Sequence, residues 1–314
     1  MSRMDNYPGG FKNGILIRGM PLSVTHPGKV FWVGNSATLL VGEKGASDGN
    51  DGSYYAPFST IDYAVGKCAD SRGDVIMVRP NHTETVIAAA GLDLDVIGIA
   101  LIGLGAGSNR PKINFTTATT ADMDVDAANI TMYNFIFTGG VDALAAPIDV
   151  NAADFTLLNC EYRDVTGQAT DVILADANAD RLTIDGYFHN GAAAAGGSSA
   201  IALIGMDNPV IKNFKIVGNF STGGVDVRTT AAVDVDISDG YVWNKNAADI
   251  AIIDTVTGST GKIGPNLYAM LADNAANVTE AFGGATFHYF DNIYVCNLAG
   301  EKAMLTNITA TTDA

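Results

Sequence analysis

The chain has 314 residues, a formal net charge of −16 and only 17% charged residues. Its 18 basic residues are scattered rather than clustered, which excludes the cationic surface that nucleic-acid binding requires. Apolar residues make up 47% of the chain, which is enough for a continuous core and excludes intrinsic disorder.

The three cysteines, Cys68, Cys160 and Cys296, are widely spaced and form no CxxC or Cys/His metal pattern. We expect them to be buried free thiols that pack as small apolar groups. Residues 1–10 contain no apolar core of a signal peptide, and no apolar run is long enough to span a membrane. Synthesis as a soluble product in the cytoplasm is therefore expected.

Residues 1–53 are predicted to form an irregular N-terminal arm. Short strands are expected at Gly14–Arg18 and Val30–Val33, separated by proline and glycine. The apolar residues Phe11, Phe31 and Trp32 lie in this loop-like context and must be covered by other atoms. We expect the arm to dock on another subunit.

Residues 54–93 are predicted to form a capping helix and an entry strand. The helix is expected over Pro57–Ala69, because its apolar residues share one face and Ser59 or Thr60 can cap it. A strand follows at Gly73–Val78, and the helix is expected to cover the open end of the first coil. The preceding loop, Gly45–Tyr55, holds three oxygen-bearing side chains close together, which fits either a plain loop, the preferred interpretation, or a calcium loop. Those side chains are Asp48, Asn50 and Asp51.

Residues 94–297 contain a degenerate repeat in which an Asn or Asp follows a short apolar-alternating run. The repeated residues are Asn134, Asn159, Asp185, Asn213, Asp239, Asn266 and Asn292. Their spacing of 25 to 28 residues is typical of a solenoid. The first full coil is expected at residues 94–115, and residues 298–314 form a C-terminal cap or tail.

Each repeat is predicted to consist of a strand, a tight turn, a second strand and a loop. In ADFTLLNCEY, Phe155, Leu157 and Asn159 point one way, while Thr156 and Leu158 point the other way. A unit of this size cannot bury its apolar face alone, so the units must stack as a parallel β-helix. The repeated Asn and Asp residues are either a stacked ladder of side chains or ordinary turn residues.

The stretches ITMYNFIF, FTLLNCEY and LTIDGYF resemble coils of right-handed parallel β-helix proteins of the pectate-lyase-like type. The resemblance covers residues 94–297 and implies an all-β fold, a right-handed parallel β-helix solenoid with an N-terminal arm and a short capping helix. This fold serves lyases, hydrolases and inert virus parts alike, so it does not by itself imply an activity.

Residues 7–110 sharpen the resemblance. FKNGILIRGMPLSVTHPGKVFWVGN and GNDGSYYAPFSTIDYAVGKCADSRGDVIMVRPNHTETV are similar to the entry segments of β-helix proteins from tailed bacteriophages. This resemblance implies a virion structural protein. We expect a non-catalytic capsid decoration or cement protein that forms a homotrimer, binds the major capsid protein and is located in the virion.

Acidic side chains recur on predicted strand faces and raise the alternative of a cation or glycan site. Three groups have this pattern: Asp93 with Asp95; Asp122, Asp124 and Asp126; and Asp234 with Asp236. The other interpretation is a solvated face that prevents unwanted stacking, and it is the preferred one. Glu161, Arg163 and Asp164 follow a ladder residue and are candidate catalytic groups, although simple ion pairing of Arg163 explains them better.

No nucleophile elbow, phosphate-binding loop or dinucleotide motif occurs in the sequence. The histidines His26, His82 (beside Glu84), His189 and His288 have no second His or Cys at ligand spacing and are predicted to be structural or exposed. We therefore expect no enzyme activity, no catalytic residue, no metal and no cofactor.

Two alternatives remain open. One is a tail-spike or receptor-binding protein, including a polysaccharide lyase or hydrolase. The other is a module that binds host-surface glycan without cleaving it, for which Tyr187, Tyr241 and Trp243 are the candidate aromatic side chains. Core packing explains the same aromatic residues equally well.

Overall fold

The computed structural model describes residues 16–17, 20–21, 28–35, 42–192, 196–246, 250–272, 281–283, 288–289, 293–298, 300 and 302–305. Within these residues the chain folds into 28 short strands, one α-helix and one short 3-10 helix at Gly107–Asn109.

The strands in chain order, up to the middle of the chain, are β1 (Leu16–Ile17), β2 (Met20–Pro21), β3 (Val30–Val33), β4 (Val75–Val78), β5 (Thr83–Val86), β6 (Leu92–Asp93), β7 (Ala100–Gly103), β8 (Lys112–Phe115), β9 (Met123–Val125), β10 (Thr131–Tyr133), β11 (Ile136–Gly139), β12 (Ile148–Val150), β13 (Thr156–Leu158) and β14 (Glu161–Asp164). The remaining strands are β15 (Asp171–Ala175), β16 (Thr183–Asp185), β17 (Phe188–Asn190), β18 (Gly197–Leu203), β19 (Val210–Gly218), β20 (Phe220–Val227), β21 (Val235–Asn244), β22 (Ile252–Asp254), β23 (Gly261–Ile263), β24 (Leu267–Leu271), β25 (Phe282–Gly283), β26 (His288–Tyr289), β27 (Ile293–Asn297) and β28 (Lys302–Leu305).

Most of these strands wind into a parallel β-solenoid of about eight turns, which confirms the predicted fold class. The exceptions are β1 and β2, which form a separate antiparallel pair, and β28, which pairs antiparallel with β27. A typical turn contributes three strands, such as β12, β13 and β14, and each strand pairs in parallel with its equivalent in the next turn. The sequence predicted only two strands per turn. The third strand, which follows the repeated Asn or Asp residue, was not predicted. We call the three stacked columns face 1 (β3, β4, β7, β10, β13 and their successors), face 2 (β5, β8, β11, β14, β17 and their successors) and face 3 (β6, β9, β12, β15, β18 and their successors).

The core is built by the alternate residues of each strand, because successive side chains of a strand point to opposite sides. On face 1 the inward side chains of five successive turns are almost completely buried: Leu101, Met132, Leu157, Ile184 and Ile211. The residues between them point outward. The outer surface of each face is therefore a set of in-register columns, with one side chain per turn.

The predicted ladder forms at the corner between faces 1 and 2. The corner residues Asn134, Asn159, Asn213 and Asn266 all adopt a positive φ, which Asn tolerates better than most residues. The Asn159 amide donates to Asn134 Oδ1 at 3.2 Å, and Asn266 donates to the carboxylate of Asp239 at 2.7 Å. The side chains therefore do form hydrogen bonds along the solenoid.

The ladder is interrupted where the sequence-based assignment was one residue off. The corner of that turn is Gly186, with φ 75°, rather than Asp185. Asp185 instead ends β16 and accepts a hydrogen bond from the Asn213 amide at 2.8 Å. Asn292 lies outside the described residues.

A second column of left-handed residues was missed by the sequence analysis. It lies at the corner that precedes face 1, and its members are Ser71, Gly98, Asn129, Asp154, Arg181, Asn208 and Asp234. The residue types are too varied to form a recognisable repeat, so only the backbone reveals it.

The helix α1 spans Ile61–Val65, which is shorter than the predicted Pro57–Ala69. Thr60 caps it as predicted, and its side chain accepts a hydrogen bond from the Tyr63 amide at 3.3 Å. The helix packs against β3, β4 and β6. The sequence predicted that the β-helix begins at residue 94. Because β3 already pairs in parallel with β4 in face 1, the parallel sheet begins earlier in the chain.

Candidate functional site

A column of aromatic and lysine side chains runs along the outside of face 2. The residues Phe188, Lys215, Tyr241, Tyr268 and Tyr294 are direct register partners in successive turns. Because neighbouring strands lie about 4.8 Å apart, the five residues span about 19 Å. The rings of Tyr268 and Tyr294 are stacked, with centroids 5.3 Å apart, and both are exposed. We call this set the aromatic column.

A shallow groove of about 610 Å³ lies beside the first three residues of the aromatic column, Phe188, Lys215 and Tyr241. We call it the aromatic groove, and its lining residues are Phe188, Asn190, Lys215, Val217, Tyr241, Trp243 and Lys245. The second side of the groove is formed by the outward residues two positions further along each strand. The groove therefore follows the solenoid axis, parallel to the aromatic column.

The lysines of the groove lie over aromatic rings rather than against carboxylates. The Lys245 ammonium is 5.1 Å from the centre of the Trp243 ring, and the Lys215 ammonium is 5.5 Å from that of Phe188. Within the described part of the chain, neither lysine lies within salt-bridge distance of an acid. A chain of net charge −16 therefore places uncompensated positive charge on this aromatic surface.

The sequence analysis identified only part of this surface. Tyr241 and Trp243 line the groove as the glycan-module interpretation predicted, whereas Tyr187 is buried in the core. Tyr268 and Tyr294 were missed. Their position in the repeat could have revealed them, because each column residue comes two places after a corner residue, as Tyr268 does after Asn266.

A second, more polar cleft of about 430 Å³ adjoins the groove at Phe188, which lines both. Its charged residues are Arg110 and Glu161, and Arg163 pairs with the same Glu161 carboxylate at 2.5 Å. Arg110 reaches Glu161 from a loop two turns away and also donates to the Asn159 carbonyl at 3.2 Å. We call this site the arginine cleft. Arg163 was predicted to pair with a neighbour, but the contribution of Arg110 was not foreseen.

Three aspartates stack on the outside of face 3, where Asp93, Asp124 and Asp149 are register partners. Asp93 and Asp124 belong to the acidic groups that the sequence predicted, whereas Asp149, which extends the column, was not predicted. Asp236 lies on face 1 and pairs with Lys262 at 2.9 Å, so it does not join this column. Among the described residues no three His, Cys, Asp or Glu side chains are arranged to hold a metal ion.

Burial and the crowding of carboxylates make the column formed by Asp93, Asp124 and Asp149 sensitive to pH. Burial, followed by the charges of Asp126 and Asp149, raises the pKa of Asp124 to about 6. A raised pKa means that the folded state binds this proton more tightly than the unfolded state, so its contribution to stability is present at low pH and is lost as the pH rises through 6.

Asp124→Asn is therefore expected to stabilise the protein by about 0.5–1 kcal/mol at pH 8. The gain disappears as the pH is lowered towards 4, because Asp124 is then neutral in the parent protein as well. Urea unfolding at a series of pH values measures the difference. Asp207→Asn, at an exposed loop position, is the matched control, and an equal gain at pH 8 and pH 4 contradicts the explanation.

The other predicted candidates are structural. Asp48 accepts hydrogen bonds from the amides of Ser59 and Thr60 at the start of α1, which is a structural role for this carboxylate. His82 contacts the buried Glu84 at 3.0 Å. His189 is fully buried between aromatic rings, and burial lowers its pKa to about 3.

His26 lies outside the described residues, and the structure describes only the backbone of His288. All three cysteines are free, as predicted, but only Cys160 is buried, whereas Cys68 and Cys296 are partly exposed.

An uncharged stripe covers the outside of face 1 over its first turns. Its central column consists of Trp32, Met77, Ile102, Tyr133 and Leu158, which are register partners from β3 to β13. The adjacent column, Val30, Val75, Ala100, Thr131 and Thr156, also carries no charge. We call these two columns the apolar stripe. It is partly exposed, with Val30 at 49% and Tyr133 at 41%.

No model of a known protein family and no curated protein matches this chain. One solved structure that resembles it is a rhamnogalacturonan lyase, with a TM-score of 0.41 and 13% sequence identity. The likeness covers 78% of this chain and 69% of that chain. At this identity and TM-score the likeness transfers no activity or site to this chain.

One expectation stands against this match. No enzyme activity was predicted, whereas the solved structure that resembles the chain is a lyase. The predicted phage origin, capsid location and trimer are not addressed by the match. No helix in the described residues is long and apolar enough to span a membrane.

Proposed function

We propose that the protein binds an acidic polysaccharide along the outside of face 2. The observation that carries this proposal is the aromatic column, in which Phe188, Tyr241, Tyr268 and Tyr294 repeat at the solenoid spacing. Aromatic rings offer flat apolar surfaces to the faces of sugar rings, and a linear polymer can occupy several of them at once.

The two lysines beside the aromatic rings indicate that the bound glycan is negatively charged. Lys215 and Lys245 place two cations beside the rings, in a chain whose net charge of −16 otherwise disfavours anions. A uronate or sulfated polymer therefore gains attraction on this face, and its binding is expected to weaken as salt concentration rises.

The test is a binding screen with polygalacturonate, alginate, hyaluronan, dextran sulfate and neutral dextran. We expect salt-dependent binding of at least one acidic polymer and weaker binding of dextran. The same samples are assayed for new unsaturated or reducing ends, which report cleavage by elimination or hydrolysis. Failure to bind any acidic polymer at low salt contradicts the proposal.

A second candidate function, assembly into a virion surface, is favoured by the apolar stripe. A face with Trp32, Ile102 and Leu158 outward and no charge over five turns resembles a subunit interface more than a solvated surface. We propose that copies of this chain associate through the stripe as a homotrimer that attaches to a bacteriophage capsid.

Ile102→Lys at the centre of the apolar stripe is expected to dissociate the trimer, raising the dissociation constant at least about tenfold, because the lysine charge is buried without a partner. Sedimentation velocity measures the oligomeric state. Val165→Lys, at a position that is 67% exposed on another part of the surface, is the control. A monomeric parent protein, or its absence from purified virions by mass spectrometry, contradicts this candidate.

A further inference from the structure

We propose that the arginine cleft is a separate subsite of the glycan-binding face. Arg110, which lines the cleft, and Arg163, which lies beside the cleft and pairs with its Glu161, would bind a carboxylate or sulfate group carried by the polymer. The inference rests on the proposed glycan binding. It adds the residues that select the anionic group, as distinct from the rings that hold the sugar.

The charge of the cleft does not balance. Two guanidinium groups, from Arg110 and Arg163, face the single carboxylate of Glu161, which is only 7% exposed. One positive charge therefore remains. Arg163 uses its Nε and Nη2 atoms on Glu161, at 2.5 and 3.0 Å. Its Nη1 atom has no hydrogen-bond acceptor among the described residues, so it remains available to a ligand.

The cleft is held in place before any ligand binds. Arg110 donates to the Gly107 carbonyl at 3.0 Å, to the Asn159 carbonyl at 3.2 Å and to Glu161. Because these bonds already restrict the side chain, little rotamer entropy remains to be lost on binding. Arginine also presents planar, paired donors that match the oxygens of carboxylate and sulfate groups.

Space and position connect the cleft to the glycan. The backbone of Gly105, Gly107 and Gly186 forms part of the lining, so no side chains fill the 430 Å³ at those points. Phe188 borders both the cleft and the aromatic groove. A polymer on the aromatic column thus continues directly into the cleft. Arg163 and Arg110 are 28% and 12% exposed, so their attraction for an anion is less screened than at an open surface.

The test compares the affinities of four probes by isothermal titration calorimetry. The probes are a galacturonate hexamer, its carboxyl-reduced neutral form, a sulfated dextran oligosaccharide and the unsulfated dextran oligosaccharide. Arg163→Gln is expected to weaken binding of the anionic probes about tenfold or more, the effect of losing a hydrogen bond to a charged group. The neutral probes are expected to bind as before. The anionic probe that loses more affinity identifies carboxylate or sulfate as the recognised group.

Two variants complete the design. Arg163→Lys keeps the charge but loses the planar pair of donors, so an intermediate loss is expected, and it replaces the Gln variant if that protein does not fold. Arg181→Gln, at an exposed arginine that pairs with Asp154, is the matched control and is expected to change nothing.

The inference is overturned if the parent protein binds anionic probes and Arg163→Gln weakens anionic and neutral probes equally, or weakens neither. In that case the proposed glycan binding still stands. If the parent protein binds no anionic probe but binds an acidic polymer of the screen, the inference alone is overturned. If it binds neither, the proposed function fails together with the inference.

Discussion

Tyr241→Ala is expected to lower the affinity for an acidic polysaccharide by about 5- to 150-fold. Tyr241 lies at the centre of the aromatic column, with Lys215 before it and Tyr268 after it in register. Truncating a ring that stacks on a ligand typically costs about 1–3 kcal/mol of binding free energy, which corresponds to this range. Affinity electrophoresis with the tightest polymer of the screen measures the loss.

The control for this prediction is Tyr55→Ala. Tyr55 is also an exposed tyrosine, at 53%, but it lies near the N-terminal end of the solenoid and outside the aromatic groove. Its variant is expected to bind the polymer like the parent protein. Equal losses in both variants mean that the effect is not local to the column. An unchanged affinity of Tyr241→Ala rules out the column as the binding surface.

Arg228→Ala is expected to lower the free energy of unfolding by about 3–5 kcal/mol at pH 8. The guanidinium joins two turns on face 3, donating to Asp171 at 2.6 Å and to Asp226 at 3.2 Å. Asp226 has no exposed surface and Asp171 has 8%. Without Arg228, two carboxylates remain buried near each other with no cation.

The loss is expected to shrink at pH 5. Burial already raises the pKa of Asp226 to about 6 in the parent protein, and removing Arg228 raises it further. A raised pKa stabilises the folded state as the pH falls, because the folded form then takes up the proton first. Urea unfolding at pH 8 and pH 5 measures both values.

Arg181→Ala is the control for this prediction, since Arg181 makes an equally close pair with Asp154 on the surface. That pair is expected to contribute less than about 1 kcal/mol, because its arginine side chain is 53% exposed. A loss of similar size in the two variants contradicts the role assigned to burial.

The sequence was sufficient to predict the solenoid because its physical requirements recur in every turn. A corner needs a residue that tolerates positive φ, and the strand before it needs alternating apolar residues, so both appear at a nearly constant period. The assignment failed at Gly186, where glycine meets the corner requirement without a polar side chain. It also missed the second column of corners, which residues as different as Ser71 and Arg181 occupy.

The candidate site was less accessible to sequence reasoning. Tyr241 and Trp243 were found because they are aromatic, but Tyr187 has the same chemistry and lies in the core. Which side of the strand a ring occupies depends on the exact register after the corner, and a shift of one residue reverses it. The pairing of Arg110 with Glu161 joins residues separated by two turns, and no local pattern encodes it.

By itself, the sequence determined the periodic part of this protein: an all-β solenoid with Asn and Asp corners and a capping helix. Those features depend on interactions between near neighbours along the chain or between identical positions of successive turns. Only the tertiary structure decided which outward side chains form the aromatic column, the arginine cleft and the apolar stripe. Each of these surfaces is made by residues far apart in sequence, and stacking of the turns at a spacing of about 4.8 Å brings them together.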